Sequence, residues 1–324
     1  LEAQTTAESE IQEAVAAAHN AGESEKAQAL SEAAAQAESE LALALEQALT
    51  PTSRVLIVGA GLIGLKCAEG IHGRVGSITV CDLADRVLSS ILDDVCAARI
   101  QKKLEDNGVR FLLADTAVRF DGKTAYMKSG KAVSFDLLVL AVGVRANTAL
   151  VKDCGGNVNR GILVDPHMRT SLPEIFAAGD CAEGLDVSLG QTRVLAILPN
   201  ANLQGRCAGV NMAGGEAVYG GGIPMNSMGI LGLHLMTAGS YYEESDGGKV
   251  YLESFEGGYK KLFAKDGYLT GFILMGELHR AGIYTALIRE RRPLDSIDFE
   301  AVKRDPSLLP FGEKYRRQTL GGVV

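Results

Sequence analysis

From Arg54 onward, apolar positions fall into short unbroken runs alternating with stretches of helical period. Val55-Leu56-Ile57-Val58 is apolar at every position, the pattern of a strand covered on both faces of a parallel sheet. It leads into Gly59-Ala60-Gly61-Leu62-Ile63-Gly64 and a helical stretch through about Ile71. A second strand, Ser77 to Cys81, ends at Asp82, and an amphipathic helix follows from about Ser89 to Asp106, closed by Asn107-Gly108. Val109 to Leu113 reads as a third strand. Segments around Val118 and Tyr126, parted by Asp121-Gly122, read as a hairpin, and Phe135 to Val142 as another buried strand. The series is β-α-β-α-β with a small meander and a returning strand, which makes the fold class α/β. Further on, Ile175 to Ala178 is an apolar strand, and a helix starts near Asn200-Ala201-Asn202. Lys249 to Glu253, Lys260 to Ala264 and Leu269 to Met275 are strands before a helix from about Arg280 to Glu290, a small α+β region.

The first fifty residues differ in kind. Residues 5–19 and 23–49 read as two helices broken at Asn20-Ala21-Gly22, built from Ala, Glu, Gln and Leu. Sixteen of these fifty residues are Ala, and only Gly22 of the 38 glycines lies here. Ten Glu against Lys26 give the segment a net charge of −9, so the rest of a chain at −8 carries about +1. Two compositions therefore meet near Pro51: a helical hairpin, either solvated or loosely docked or serving as an assembly or partner helix, and a globular remainder. The start at Leu1 rather than Met points to processing, cutting or engineering. The overall charge leaves no basic footprint for nucleic acid or an anionic membrane. No apolar run approaches the ~18 residues of a spanning helix, and the N-terminus is not built as a secretory signal.

The strand-bound glycine turn carries the chemistry. Gly59 permits the tight turn, Gly61 lets a pyrophosphate approach the backbone, and Gly64 allows helix and strand to pack closely, with Ile63 between them at the helix start. The helix N-terminus offers free N–H groups and a positive dipole end to phosphate. Asp82, at the second strand end 18 residues after Gly64, is placed to accept from both ribose hydroxyls and to repel a 2′-phosphate. The six cysteines, Cys67, Cys81, Cys96, Cys154, Cys181 and Cys207, include no close pair, so they read as reduced thiols of a cytoplasmic protein. No zinc pattern, HExxH motif or serine nucleophile elbow is present, so no catalytic side chain and no metal ligand is assigned.

Residues 54–324 resemble the FAD-dependent pyridine nucleotide-disulfide oxidoreductases, in particular NADH oxidases, rubredoxin reductases and nitrite reductase flavin modules. The resemblance is carried by VLIVGAGLIGLKCAEGI, FDLLVLAVGVRANTAL, GILVDPHMRTSLPEIFAAGDCAE and LPNANLQGRCAGVNMAGG. It implies that Gly59, Gly61, Gly64 and Asp82 bind NADH and that Ala141-Val142-Gly143 closes over the nicotinamide nucleotide. It further implies that Gly179-Asp180 meets the ribityl chain of FAD and that the helix at Ala201 points its N-terminus at the flavin pyrimidine. Lys66 departs from the pattern, standing where many members carry Glu. The resemblance also implies an N-terminal FAD-binding half with its own glycine turn, for which nothing before Gly59 serves. The expected organisation is thus a helical segment (1–50), a Rossmann-type NADH domain (51–158), a second part of an FAD domain (159–222) and an α+β interface domain (223–324). The function implied is an NADH-dependent flavoprotein passing hydride to FAD and electrons to an unidentified acceptor, with FAD held weakly or not at all by the chain alone. The alternative is a non-catalytic nucleotide-binding or assembly module, engineered or with helices in place of the missing half. Expected partners are the nicotinamide nucleotide, a chain supplying the FAD half or an acceptor protein, and a second copy of the chain.

Overall fold

A computed structural model describes residues 49–255 and 257–320. The two helices expected over 5–19 and 23–49 lie outside them. The described chain forms two compact units, one of residues 49–87 and 102–142, the other of residues 88–101 and 143–320.

The first unit is organised by a four-stranded parallel sheet made of β1 (Arg54–Val58), β2 (Ser77–Cys81), β3 (Val109–Leu112) and β7 (Leu137–Leu140), in the order β3-β2-β1-β7. Helix α1 (Leu62–Ile71) follows β1 and buries Gly64, Leu65, Ala68 and Ile71. The apolar run of β1 is buried from Val55 to Val58, because it has a neighbour on each side: Leu56 pairs with Thr79 and with Leu138. The fully buried strand expected over Phe135 to Val142 is corrected here. β7 is shorter, lies at the sheet edge with β1 as its one partner among the described residues, and leaves Leu140 63% exposed. Periodicity cannot distinguish an edge strand from a central one, since both are apolar runs. The hairpin grows into a three-stranded antiparallel meander, β4 (Ala117–Asp121), β5 (Thr124–Met127) and β6 (Ala132–Ser134). Ala125, Met127 and Phe135 join Leu56, Val58 and Cys81 in one core cluster.

Helix α2 (Asp94–Glu105) begins later than the sequence pattern suggests. The Asp93 carboxylate accepts from the Cys96 amide at 3.1 Å, capping the helix and leaving residues 89–91 as turn.

In the second unit, α3 (Ala149–Asp153) precedes a small sheet ordered β10-β9-β8, from β8 (Ile162–Leu163), β9 (Ala182–Asp186) and β10 (Gln191–Val194). Helix α4 (Leu198–Met212) comes next. The strand expected at Ile175 to Ala178 does not join a sheet. Its ladder is a single bridge, Phe176 to Arg169, so an apolar, extended segment has only one short partner among the described residues. A five-stranded antiparallel sheet follows, ordered β11-β12-β15-β14-β13. Its strands are β11 (Met225–Ile230), β12 (Leu233–Gly239), β13 (Lys249–Phe255), β14 (Gly258–Lys265) and β15 (Tyr268–Met275). Helices α5 (Gly282–Arg289), α6 (Phe299–Arg304) and α7 (Glu313–Leu320) complete the chain. Leu262, Phe272 and Leu274 pack with Tyr284, Leu287 and Val302 in its core. No helix of the described residues is long and apolar enough to cross a membrane.

Candidate functional site

The glycine turn sits where the parallel strands of the first unit end. Gly59, directly after β1, has φ +116°, and a Cβ there would collide with the carbonyl of Ala141. A Cβ on Gly64 would collide with the Gly59 carbonyl. Both positions therefore require glycine for the chain's own packing. Gly61 is different: it caps α1, and a Cβ there would meet nothing within 4 Å. A glycine that packing does not need leaves the backbone open to a ligand. Ile63, in the first turn of α1, is 60% exposed.

Asp82 is drawn into the same turn. One carboxylate oxygen accepts from the Ala60 amide at 2.6 Å and the other from the Ala84 amide at 2.8 Å. The carboxylate is thus fixed above the turn, with a lone pair still available on each oxygen. The Ala60 amide could not be named from the sequence, because the contact spans 22 residues and exists only once β1 and β2 pair. Lys66 points to Glu69 on its own helix, an exposed ion pair.

Two further predicted positions lie together in the second unit. Gly179 opens a short 3-10 turn at φ +80°, and a Cβ on it would sit 3.4 Å from the Ala201 Cβ in the first turn of α4. No side chain caps that helix N-terminus. The Asp180 carboxylate, next in the turn, is exposed and has no hydrogen-bond partner among the described residues. Gly143 has φ +93°, and a Cβ there would meet nothing within 4 Å.

The fold also reveals polar groups that sequence reasoning passed over. Gln204 is 1% exposed, and its Oε1 accepts from the Gly179 amide at 2.7 Å. Glu183 is buried and accepts from the Gly161 amide, and the buried Asp186 is bound by Arg193 and Ser188. Nothing local in the sequence separates these from solvated side chains. All six cysteines carry free thiols, with Cys81, Cys96 and Cys207 buried as small apolar groups. Burial is the main reason the Cys96 thiol titrates far above the usual range, with Asp93 adding to it. No group of three or more His, Cys, Asp or Glu that could hold a metal is found among the described residues.

A parallel sheet ending in a glycine turn and a carboxylate is the architecture of the α/β dinucleotide-binding class. The chain belongs to the pyridine nucleotide-disulphide oxidoreductase family, whose model matches residues 19–205. The match starts inside the alanine- and glutamate-rich segment. Residues 224–292 match the rubredoxin NAD+ reductase C-terminal domain. The chain is 32% identical over 256 residues to the NADH-dependent phenylglyoxylate dehydrogenase subunit epsilon of Aromatoleum evansii, covering 76% of this chain and 60% of that protein. It is 36% identical over 170 residues to an NADH oxidase of Methanocaldococcus jannaschii, 51% of this chain and 38% of the other. Among solved structures, an FAD-dependent pyridine nucleotide-disulphide oxidoreductase from Desulfovibrio vulgaris superposes with TM-score 0.69 and 26% identity, over 78% of this chain and 68% of that one. The chain thus spans less than two thirds of the length of these curated relatives.

Proposed function

We propose that this chain is the NADH-binding and electron-relaying portion of an NADH-dependent flavoprotein oxidoreductase. The observation that carries the reading is the contrast within the glycine turn: packing demands Gly59 and Gly64 but leaves Gly61 open beside a fixed Asp82 carboxylate. Those groups fit a dinucleotide. The N-terminus of α1 and the bare Gly61 backbone take the pyrophosphate, and Asp82 takes the ribose hydroxyls and disfavours a 2′-phosphate.

The second group fits the ring-and-ribityl end of a flavin. Asp180 has a free carboxylate for a ribityl hydroxyl, and the uncapped α4 N-terminus near Ala201 favours negative charge on a reduced ring. The pyrophosphate and adenylate of FAD need a second glycine turn, and residues 49–320 contain no other that follows a parallel strand into a helix. The bound nucleotides supply the hydride donor and acceptor, while the chain's part is to bind and orient them. Names of similar proteins support this reading: an NADH-dependent dehydrogenase subunit and NADH oxidases. The match to the rubredoxin NAD+ reductase C-terminal domain supports a protein electron acceptor. The corresponding domains are residues 51–158 for NADH, 159–222 for flavin and 223–324 for the interface.

The visible spectrum of the purified chain after incubation with FAD and removal of free flavin, followed by NADH addition, tests the reading. A retained flavin band bleached by NADH supports it. A chain that binds neither nucleotide overturns it.

A further inference from the structure

Helix α4 buries an unusual face. Asn200, Gln204, Cys207, Ala208 and Asn211 point inward, while Leu198, Leu203, Val210 and Met212 are exposed. Burying an amide side chain is costly unless its polar atoms are bonded, so each buried amide needs a reason. Asn200 donates to the Ile223 carbonyl at 3.1 Å, and Asn211 donates to the His167 and Ala217 carbonyls at 2.8 Å each. These two tie the helix to neighbouring loops. Gln204 does something else. Its Oε1 accepts from the Gly179 amide at 2.7 Å, and its side chain also interacts with the Tyr219 phenol. The Oε1 of this buried amide is thus committed to one turn.

That turn has its own constraint. Gly179 sits at φ +80°, a conformation glycine adopts freely but also leaves freely. Whichever way Gly179 rotates, Asp180 swings with it. The Gly179 amide belongs to the peptide plane that enters the turn, and Gln204 anchors that plane by accepting from it in a buried bond. The Ala201 Cβ, one turn earlier on the same helix, closes off the space on the other side.

We propose that Gln204 is a positioning residue for flavin. By accepting from the Gly179 amide it presets the Gly179–Asp180 turn against the N-terminus of α4, so that the Asp180 carboxylate and the helix terminus face the same ligand before it arrives. Preorganisation of this kind raises affinity by removing the ordering cost from the binding step. The inference rests on the flavin reading given above.

The test uses the full chain with two probes: FAD, and riboflavin, which carries the ring and ribityl chain without phosphates. Affinities are read by flavin fluorescence, and the Gly179 amide by hydrogen exchange. In the flavin-free wild type that amide is expected to exchange slowly; exchange as fast as at the exposed Asp180 overturns the inference without any variant. Gln204→Met, similar in length but lacking the acceptor, is expected to weaken both flavins about tenfold, the scale of one lost hydrogen bond, and to speed Gly179 exchange. NADH affinity should not change. Gln204→Glu, which keeps an acceptor at the same reach, should recover most of the flavin affinity and the slow exchange. Wild-type flavin affinity in Gln204→Met overturns the inference and leaves the flavin reading standing. If the wild type binds neither flavin, the flavin half of that reading fails and the inference with it.

Discussion

At the scale of single residues, the glycine turn separates two demands that look identical in sequence. Gly64 has no room for a side chain, whereas Gly61 has room and a reason to leave it empty. Gly64→Ala is therefore expected to lose about 1–3 kcal/mol of stability or more from overpacking, seen as a lower melting temperature. Gly61→Ala, at a helix cap, should cost no more than about 1 kcal/mol while weakening NADH about tenfold or more by calorimetry. Equal effects of the two changes on melting would refute the distinction. Asp82 holds two backbone amides, and in the function proposed above it also meets the ribose. Asp82→Asn keeps an acceptor but removes the charge that repels a 2′-phosphate. The ratio of NADH to NADPH affinity should fall toward one, and an unchanged ratio would rule out Asp82 as the selector.

At the scale of elements, α2 shows how a helix boundary and a tertiary contact share one side chain. Asp93 caps the helix and also accepts a short hydrogen bond from the Tyr259 hydroxyl on β14, while Lys261 lies 3.5 Å from the same carboxylate. Arg99, one turn into the helix, donates to the Gly258 carbonyl at 3.1 Å. Burial raises the Tyr259 pKa, and the Asp93 carboxylate adds to this, so the phenol stays a donor at every ordinary pH. Tyr259→Phe leaves a half-buried carboxylate short of one donor and should cost about 1–3 kcal/mol in urea unfolding. Asp93→Asn on top of it should then cost less than it does in the wild type, because the two act through one contact. Strictly additive losses would show that the bond contributes nothing. The segment Ile175 to Ala178 makes the opposite point. Its apolar composition reads as a strand, but a strand is made by its neighbours, and here the neighbour is one bridge at Arg169.

At the scale of the molecule, the C-terminal sheet and its helices bury phenols rather than thiols or histidines. Tyr241, stacked on Phe263 with ring centroids 4.7 Å apart, is pushed up to about 12 chiefly by burial, and Tyr284 is raised for the same reason. An unfolded tyrosine loses its proton near pH ~10, so between pH ~10 and ~12 the unfolded chain binds fewer protons than the folded one. The contribution of these phenols is full below about pH 10 and is lost as the pH rises through the folded value. The urea midpoint should fall between pH 8 and pH 11, and Tyr241→Phe should flatten that fall. A midpoint that stays level in the wild type would contradict the burial argument. What the sequence determined by itself was whatever depends on neighbours along the chain. The β1 run, the glycine turn, the helix after it and the acidic strand end are all local patterns, and the family resemblance rested on such segments. Only the tertiary structure decided the rest: that β7 is an edge strand, that Asp82 binds the Ala60 amide, and that a buried Gln204 holds Gly179. Each of these depends on groups brought within about 3 Å by strand pairing or helix docking, and a polar side chain shows no sign in sequence of whether water or a distant amide will satisfy it.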